Sequence, residues 1–179
     1  MYVTTVVGNP KIGSKTSRAA MAVQQAIRAW LLERGVATEP AHFELGVLGP
    51  ALIEWGHPSV QETIDVLQQS AIVIFCSPTY KATYAGLLKL LIDQIPVNGL
   101  NNIVAIPVML GAASIHHLAP ELTLKPVLLE VGAICPTRSL YILDSEIDRV
   151  EETVAKWLES AAAGLGVVMA SQLLADRNA

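Results

Sequence analysis

The stretch YVTTVVGNPKIGSKTS, residues 2–17, decides how the chain is to be read. Its first part is a short β-branched run. Its second gathers glycine, proline, lysine and hydroxyl residues, and a long segment with helical spacing follows. A strand feeding a helix through a polar loop is the repeating unit of α/β folds. The unpaired amides and partial positive charge at a helix N-terminus favour an anion. Ser14, Thr16 and Ser17 add hydroxyl groups there, and Lys11 and Lys15 add full charges. The order of Gly8, Gly13, Ser14 and Lys15 matches neither the glycine-rich dinucleotide fingerprint nor the nucleotide-binding loop that ends in Gly-Lys-Ser/Thr. Taken alone, the loop fits both an anion nest and an ordinary β-α turn with a Ser or Thr cap.

Working outward, apolar runs at 3–7, 71–76, 103–109 and 133–141 read as strands, with a weaker one at 42–45. Most are continuously apolar rather than alternating, as in parallel strands covered on both faces. Helical spacing occupies 17–34, 59–70, 84–95, 115–131 and 146–165. The expected fold is therefore α/β, a doubly wound parallel sheet of five strands with helices on both faces. Right-handed crossovers then bring loops 8–16, 77–83 and 110–114 to the carboxyl edge of the sheet, where ligands of such folds bind. One domain is expected over 1–165, and 166–179 reads as a frayed extension or an arm for a partner subunit.

Composition narrows the function classes. Hydrophobic residues make up 52% of the chain and charged residues 16%, yet no run of about 18 apolar residues occurs, so a buried sheet and subunit contacts are expected and a membrane span is not. The N-terminus lacks a basic start and a small-residue cleavage site, which points to the cytoplasm. With a net charge of -4 and scattered Lys and Arg, the chain has no basic stripe for nucleic acid. Cys76 and Cys135 each stand in an apolar run and read as reduced, buried thiols.

Two further loops carry chemistry. In SPTYKATYAG, residues 77–86, Pro78 restrains the chain leaving a buried run, and Tyr80 presents a flat surface suited to a planar heterocycle or to a subunit contact. In MLGAASIHH, residues 109–117, Gly111 permits close backbone approach and His116 can donate to an anionic or carbonyl edge. His117 and Glu121 have the spacing of a ligand pair but no third partner, so no metal site is expected.

Together, GNPKIGSKTS at 8–17, SPTYKATYAGLLKLLID at 77–93 and LGAASIHHLAPELTLKPVL at 110–128 resemble the NADPH-dependent FMN reductases of flavodoxin-like fold. The likeness is strongest to the sulfonate-starvation branch, whose members supply reduced flavin to two-component monooxygenases, and it spans nearly all of residues 1–160. It implies strand order 2-1-3-4-5, FMN with NADPH or NADH as donor, and a homodimer or homotetramer formed through 84–95 and 115–131. A flavin-dependent monooxygenase is the implied partner. The resemblance assigns the FMN phosphate to Asn9, Lys11, Ser14, Thr16 and Ser17, and the charge of Lys15 joins them as a cofactor-binding residue. It assigns the ring and ribityl chain to Pro78, Thr79, Tyr80, Lys81 and Gly111, with Ser114 and His116 nearby. No side chain is required as a general acid or base.

Alternatives are a reductase that keeps FMN bound and reduces quinones, azo compounds or metal oxyanions, and a non-catalytic electron carrier. The chain departs from the usual pattern at Asn9 for Ser, at Lys11 for Arg and at Ala112 for a second Gly. It also has Leu122 where the branch carries an inserted aromatic within a π-bulge. Pro120 and Pro126 are expected to disturb a regular helix there.

Overall fold

The computed structural model describes residues 1–176, with side chains described through Ser171. Its sheet contains β1 (Tyr2–Val7), β2 (Glu39–Glu44), β3 (Ser70–Tyr80), β4 (Thr83–Tyr84), β5 (Val104–Gly111) and β6 (Leu140–Leu143). The helices are α1 (Lys15–Leu32), α2 (Leu45–Leu48), α3 (Pro58–Gln68), α4 (Gly86–Ile92), α5 (Lys125–Glu130) and α6 (Val150–Asp176). The parallel strands run in the order β2-β1-β3-β5-β6, and β4 hangs off β3 as a short antiparallel partner. Without β4 this is the flavodoxin-like order 2-1-3-4-5. The sheet has six strands rather than the expected five because β3 runs on to Tyr80 and folds back through Lys81 and Ala82.

The continuous apolar runs divide between two cores. On β3, Ile72, Ile74 and Cys76 face the layer of α1 and α6, while Val73 and Phe75 face the layer of α3, α4 and α5. On β5, Val104, Ile106, Val108 and Leu110 take the first side and Ala105 and Met109 the second. The strand period of two thus persists, but both faces are covered and both require apolar side chains. Ala19, Ala20 and Ala22 put small side chains on the buried stripe of α1. Both cysteines are free; Cys76 is buried and Cys135 half-buried, with burial pushing the Cys135 thiol up to about 11.

Helix α4 is shorter than the expected 84–95, Tyr84 falling in β4, and three elements differ more. The predicted strand 133–141 is reduced to one bridge, Ile134 with Val104, followed by irregular chain and then β6. Pro136 has no amide hydrogen for a ladder, which interrupts the run. The predicted helix 115–131 breaks into a 3₁₀ turn at Ser114–His116, a π-helical turn at Pro120–Leu124 and α5. The Lys125 amide bonds the Pro120 carbonyl five residues back, and Pro126 has no amide hydrogen with which to continue α spacing from Leu122. The π turn forms with Leu122 in it, so an aromatic side chain is not what imposes it. Finally, β2 covers Glu39–Glu44 rather than 42–45 and tolerates Pro40 because it is an edge strand.

Helix α6 continues unbroken across the expected boundary at 165–166, and Met169 is buried in the core. Residues 177–179 of the expected extension lie outside the described residues. Among the described residues, no helix is long and apolar enough to cross a membrane.

Candidate functional site

The carboxyl ends of β1, β3 and β5 meet in a cleft of about 590 Å³. Of the residues expected from sequence, Asn9, Lys11, Ser14, Lys15, Thr16, Pro78, Thr79, Tyr80 and Gly111 line it. Ser17, Lys81, Ser114 and His116 stand outside that lining. Ser17 is buried beneath the first loop, Lys81 is exposed at the tip of the β3–β4 hairpin, and Ser114 and His116 lie in the 3₁₀ turn. Gly13, Leu110, Ala112 and Asp144 complete the wall.

The first loop is shaped mainly by its own side chains. The Asn9 carboxamide accepts from the Lys11 amide at 2.9 Å and donates to Thr16 Oγ1 at 2.9 Å, and Asn9 is almost wholly buried. Such an Asx turn fixes the chain before α1. Ser14 caps α1, its Oγ accepting from the Ser17 amide at 3.3 Å. Gly13 has φ +62, a left-handed conformation that favours glycine. The loop is pinned to the sheet by the Gly8 amide on the Cys76 carbonyl at 2.8 Å. A Cβ on Gly8 would stand 2.6 Å from the Leu88 Cβ, so only glycine lets α4 approach this closely. Lys15 Nζ reaches the Asp144 carbonyl at 3.4 Å, leaving its charge at the cleft mouth.

A second layer, invisible to the sequence reading, lies beneath that loop. Both carboxylate oxygens of Glu44 accept from the Gly13 amide, at 3.2 and 3.0 Å. His42 Nε2 lies 3.2 Å from Ser17 Oγ and 3.7 Å from Glu44 Oε1, and Nδ1 lies 2.5 Å from Thr5 Oγ1. Burial pushes the Glu44 carboxyl up, but hydrogen bonds from Ser17, the Gly13 amide and His42 outweigh it, leaving Glu44 below the ordinary carboxylate value and ionised.

The hairpin is built differently. Lys81 and Ala82 have φ of 51 and 66, the left-handed region costly for side-chain-bearing residues. Ser77 secures its base, its Oγ accepting from the Ala85 amide at 2.8 Å and donating to the Pro78 carbonyl at 2.9 Å. Thr79 Oγ1 is buried without a hydrogen bond of full geometry, and it acts on the Tyr141 phenol. Tyr80 is half exposed beside the cleft. On the third side, Tyr141 Oη donates to the Ala113 carbonyl at 2.8 Å beneath the turn after β5. A Cβ on Gly111 would fall 2.1 Å from that oxygen, which explains the glycine. Burial raises the Tyr141 phenol, with the Thr79 hydroxyl opposing and the Asp144 charge reinforcing the shift.

The His117–Glu121 spacing serves other partners: His117 Nδ1 lies 3.0 Å from the Ser114 carbonyl, and Glu121 binds Lys125 at 2.6 Å and the Ser139 amide and hydroxyl at 2.9 and 2.7 Å. Among the described residues no group of three His, Cys, Asp or Glu is placed to hold a metal ion.

The cleft suits a flavin mononucleotide. Helix-end amides, hydroxyls and two lysines suit a phosphate, while the apolar strand end beside Tyr80 suits a planar ring. Comparison with known proteins agrees. The chain is 29% identical over 150 residues to "FMN reductase (NADPH)" of Escherichia coli strain K12, covering 82% of this chain and 75% of that one. It is 26% identical over 121 residues to "NADH-dependent FMN reductase SfnF" of Pseudomonas fluorescens strain Pf0-1, covering 67% and 61%. Its fold matches the crystal structure of the apo form of NADH:FMN oxidoreductase (EMOB) with a TM-score of 0.73, 25% identity and 90% of each chain covered. The family model described as "NADPH-dependent FMN reductase" matches residues 1–148, and the chain belongs to that family.

Proposed function

We propose that this protein is an NAD(P)H-dependent FMN reductase that supplies reduced flavin to a partner monooxygenase. The observation that carries the reading is the convergence of the anion-suited loop, the β3 strand end and the Gly111 turn on one cleft, in a chain of this family. Loop 8–16 holds the FMN phosphate through Ser14, Thr16, Lys11 and Lys15, with Asn9 fixing the loop from within. Pro78, Thr79, Tyr80 and Gly111 hold the ring. The flavin and nicotinamide supply the chemistry between them, a hydride passing from nicotinamide C4 to flavin N5. The chain's contribution is to orient both rings and exclude water from one face; Tyr80 and the Gly111–Ala112 backbone are its tools for that.

Exposed Ile115, Leu118, Leu122 and Leu129, with Leu90 on α4, support a homodimer or homotetramer through the segments expected from sequence. A monomer at micromolar concentration in sizing chromatography would exclude that assembly. The test of function is NADPH and NADH oxidation with and without added FMN. Turnover that rises with free FMN is expected; a yellow protein whose rate ignores added FMN is instead a reductase with resident flavin.

A further inference from the structure

Glu44 is an unexpected group to find beneath a phosphate site. It ends β2 opposite Val7 of β1, and its side chain is only 10% exposed. Its carboxylate faces the loop that carries Lys11 and Lys15, and it takes up the amide hydrogen of Gly13, which lines the cleft. The ionisable side chain beside it is His42, whose ring is itself engaged by Thr5 and Ser17. A dianion arriving at this loop therefore meets one donor fewer and a fixed like charge in a poorly solvated place, where repulsion is weakly screened.

We propose that Glu44 sets the affinity for the flavin phosphate, weakening the loop's hold so that FMN is exchanged rather than retained. The inference rests on the reading that loop 8–16 receives that phosphate. Glu44 touches no substrate in this scheme; it acts through the Gly13 amide and through its charge. A purely structural brace would act through the hydrogen bond alone. Glu44→Gln separates the two, because an amide oxygen still accepts from Gly13 while the charge is gone.

The experiment is fluorescence titration of FMN and of riboflavin into the full chain, wild type and Glu44→Gln, with stopped-flow measurement of FMN release. For the variant, an FMN Kd lower by about tenfold is expected, with release slowed in step and riboflavin changed less than twofold. An FMN Kd that stays the same or rises, or an equal change for both ligands, overturns the role of Glu44 while leaving the reductase reading intact. Wild type and variant that both hold riboflavin as tightly as FMN overturn the phosphate assignment of the loop, and this inference with it.

Discussion

The first loop and the β3–β4 hairpin face each other across one cleft and are held in shape by opposite means. In the loop, Asn9, Ser14 and Glu44 place their polar atoms on neighbouring backbone and side chains, so its shape does not depend on a ligand. The hairpin instead keeps Lys81 and Ala82 in left-handed conformations. One wall is prebuilt. The other stores a small backbone strain. Substitutions on the two walls should therefore separate ligand affinity from fold stability in different ways.

The largest effect is expected from Lys11→Ala combined with Ser14→Ala, which should weaken FMN by roughly a hundredfold while riboflavin is nearly unaffected, since charge-assisted contacts are worth about 1.5–3 kcal/mol each. Equal losses in parallel titrations would make the loop only a turn. Thr79→Val removes the hydroxyl that opposes the upward shift of the Tyr141 phenol, so spectrophotometric titration should find the Tyr141 pKa higher in the variant. An unchanged phenol would mean that the two hydroxyls do not meet.

A smaller effect is expected from Ala82→Gly, which relieves one left-handed residue and should raise stability by about 1 kcal/mol with little change in Kd for either flavin. No gain would mean that the turn carries no strain.

The smallest effect concerns Glu121, which ties the π turn to Ser139. Burial pushes its carboxyl up, but hydrogen bonds from Lys125 and Ser139 prevail and leave its pKa below the ordinary value. A depressed folded pKa contributes stability that is fully present above the unfolded carboxylate pKa and lost as pH falls through the folded one. The stability gap between wild type and Glu121→Gln should thus be widest near neutrality and close in acid. A gap independent of pH would assign the contact to shape rather than charge.

Much of this was legible in the sequence, for physical reasons. Buried parallel strands must be apolar on both faces, and loops 8–16, 77–83 and 110–114 follow those strands, so fold and cleft could be read from local patterns. The strand at 133–141 misled because the apolar character of Ala133, Ile134 and Cys135 does not reveal that Pro136 cuts the ladder. The hairpin was hidden because Lys81-Ala82 lacks the Asn-Gly or Asp-Gly signal of a two-residue turn. Glu44, His42 and Tyr141 were missed for a different reason. They act on the first loop and on the Gly111 turn from β2 and β6, and only the folded sheet brings them there.

The direct pairing of β1 with β3 has a consequence for which ligands can be held. Residues 3–7 of β1 pair in register with 72–76 of β3, and the Gly8 amide extends that ladder by one bond into the loop itself. The Thr16 carbonyl, in the first turn of α1, is joined to the same strand by the Cys76 thiol. The loop proposed for the phosphate and the strand end proposed for the ring are thus mounted on adjacent rails of a stiff frame, about 4.8 Å apart. Such a cleft works as a gauge: it favours molecules whose tether between phosphate and ring has one length, and a longer or shorter tether must give up one end.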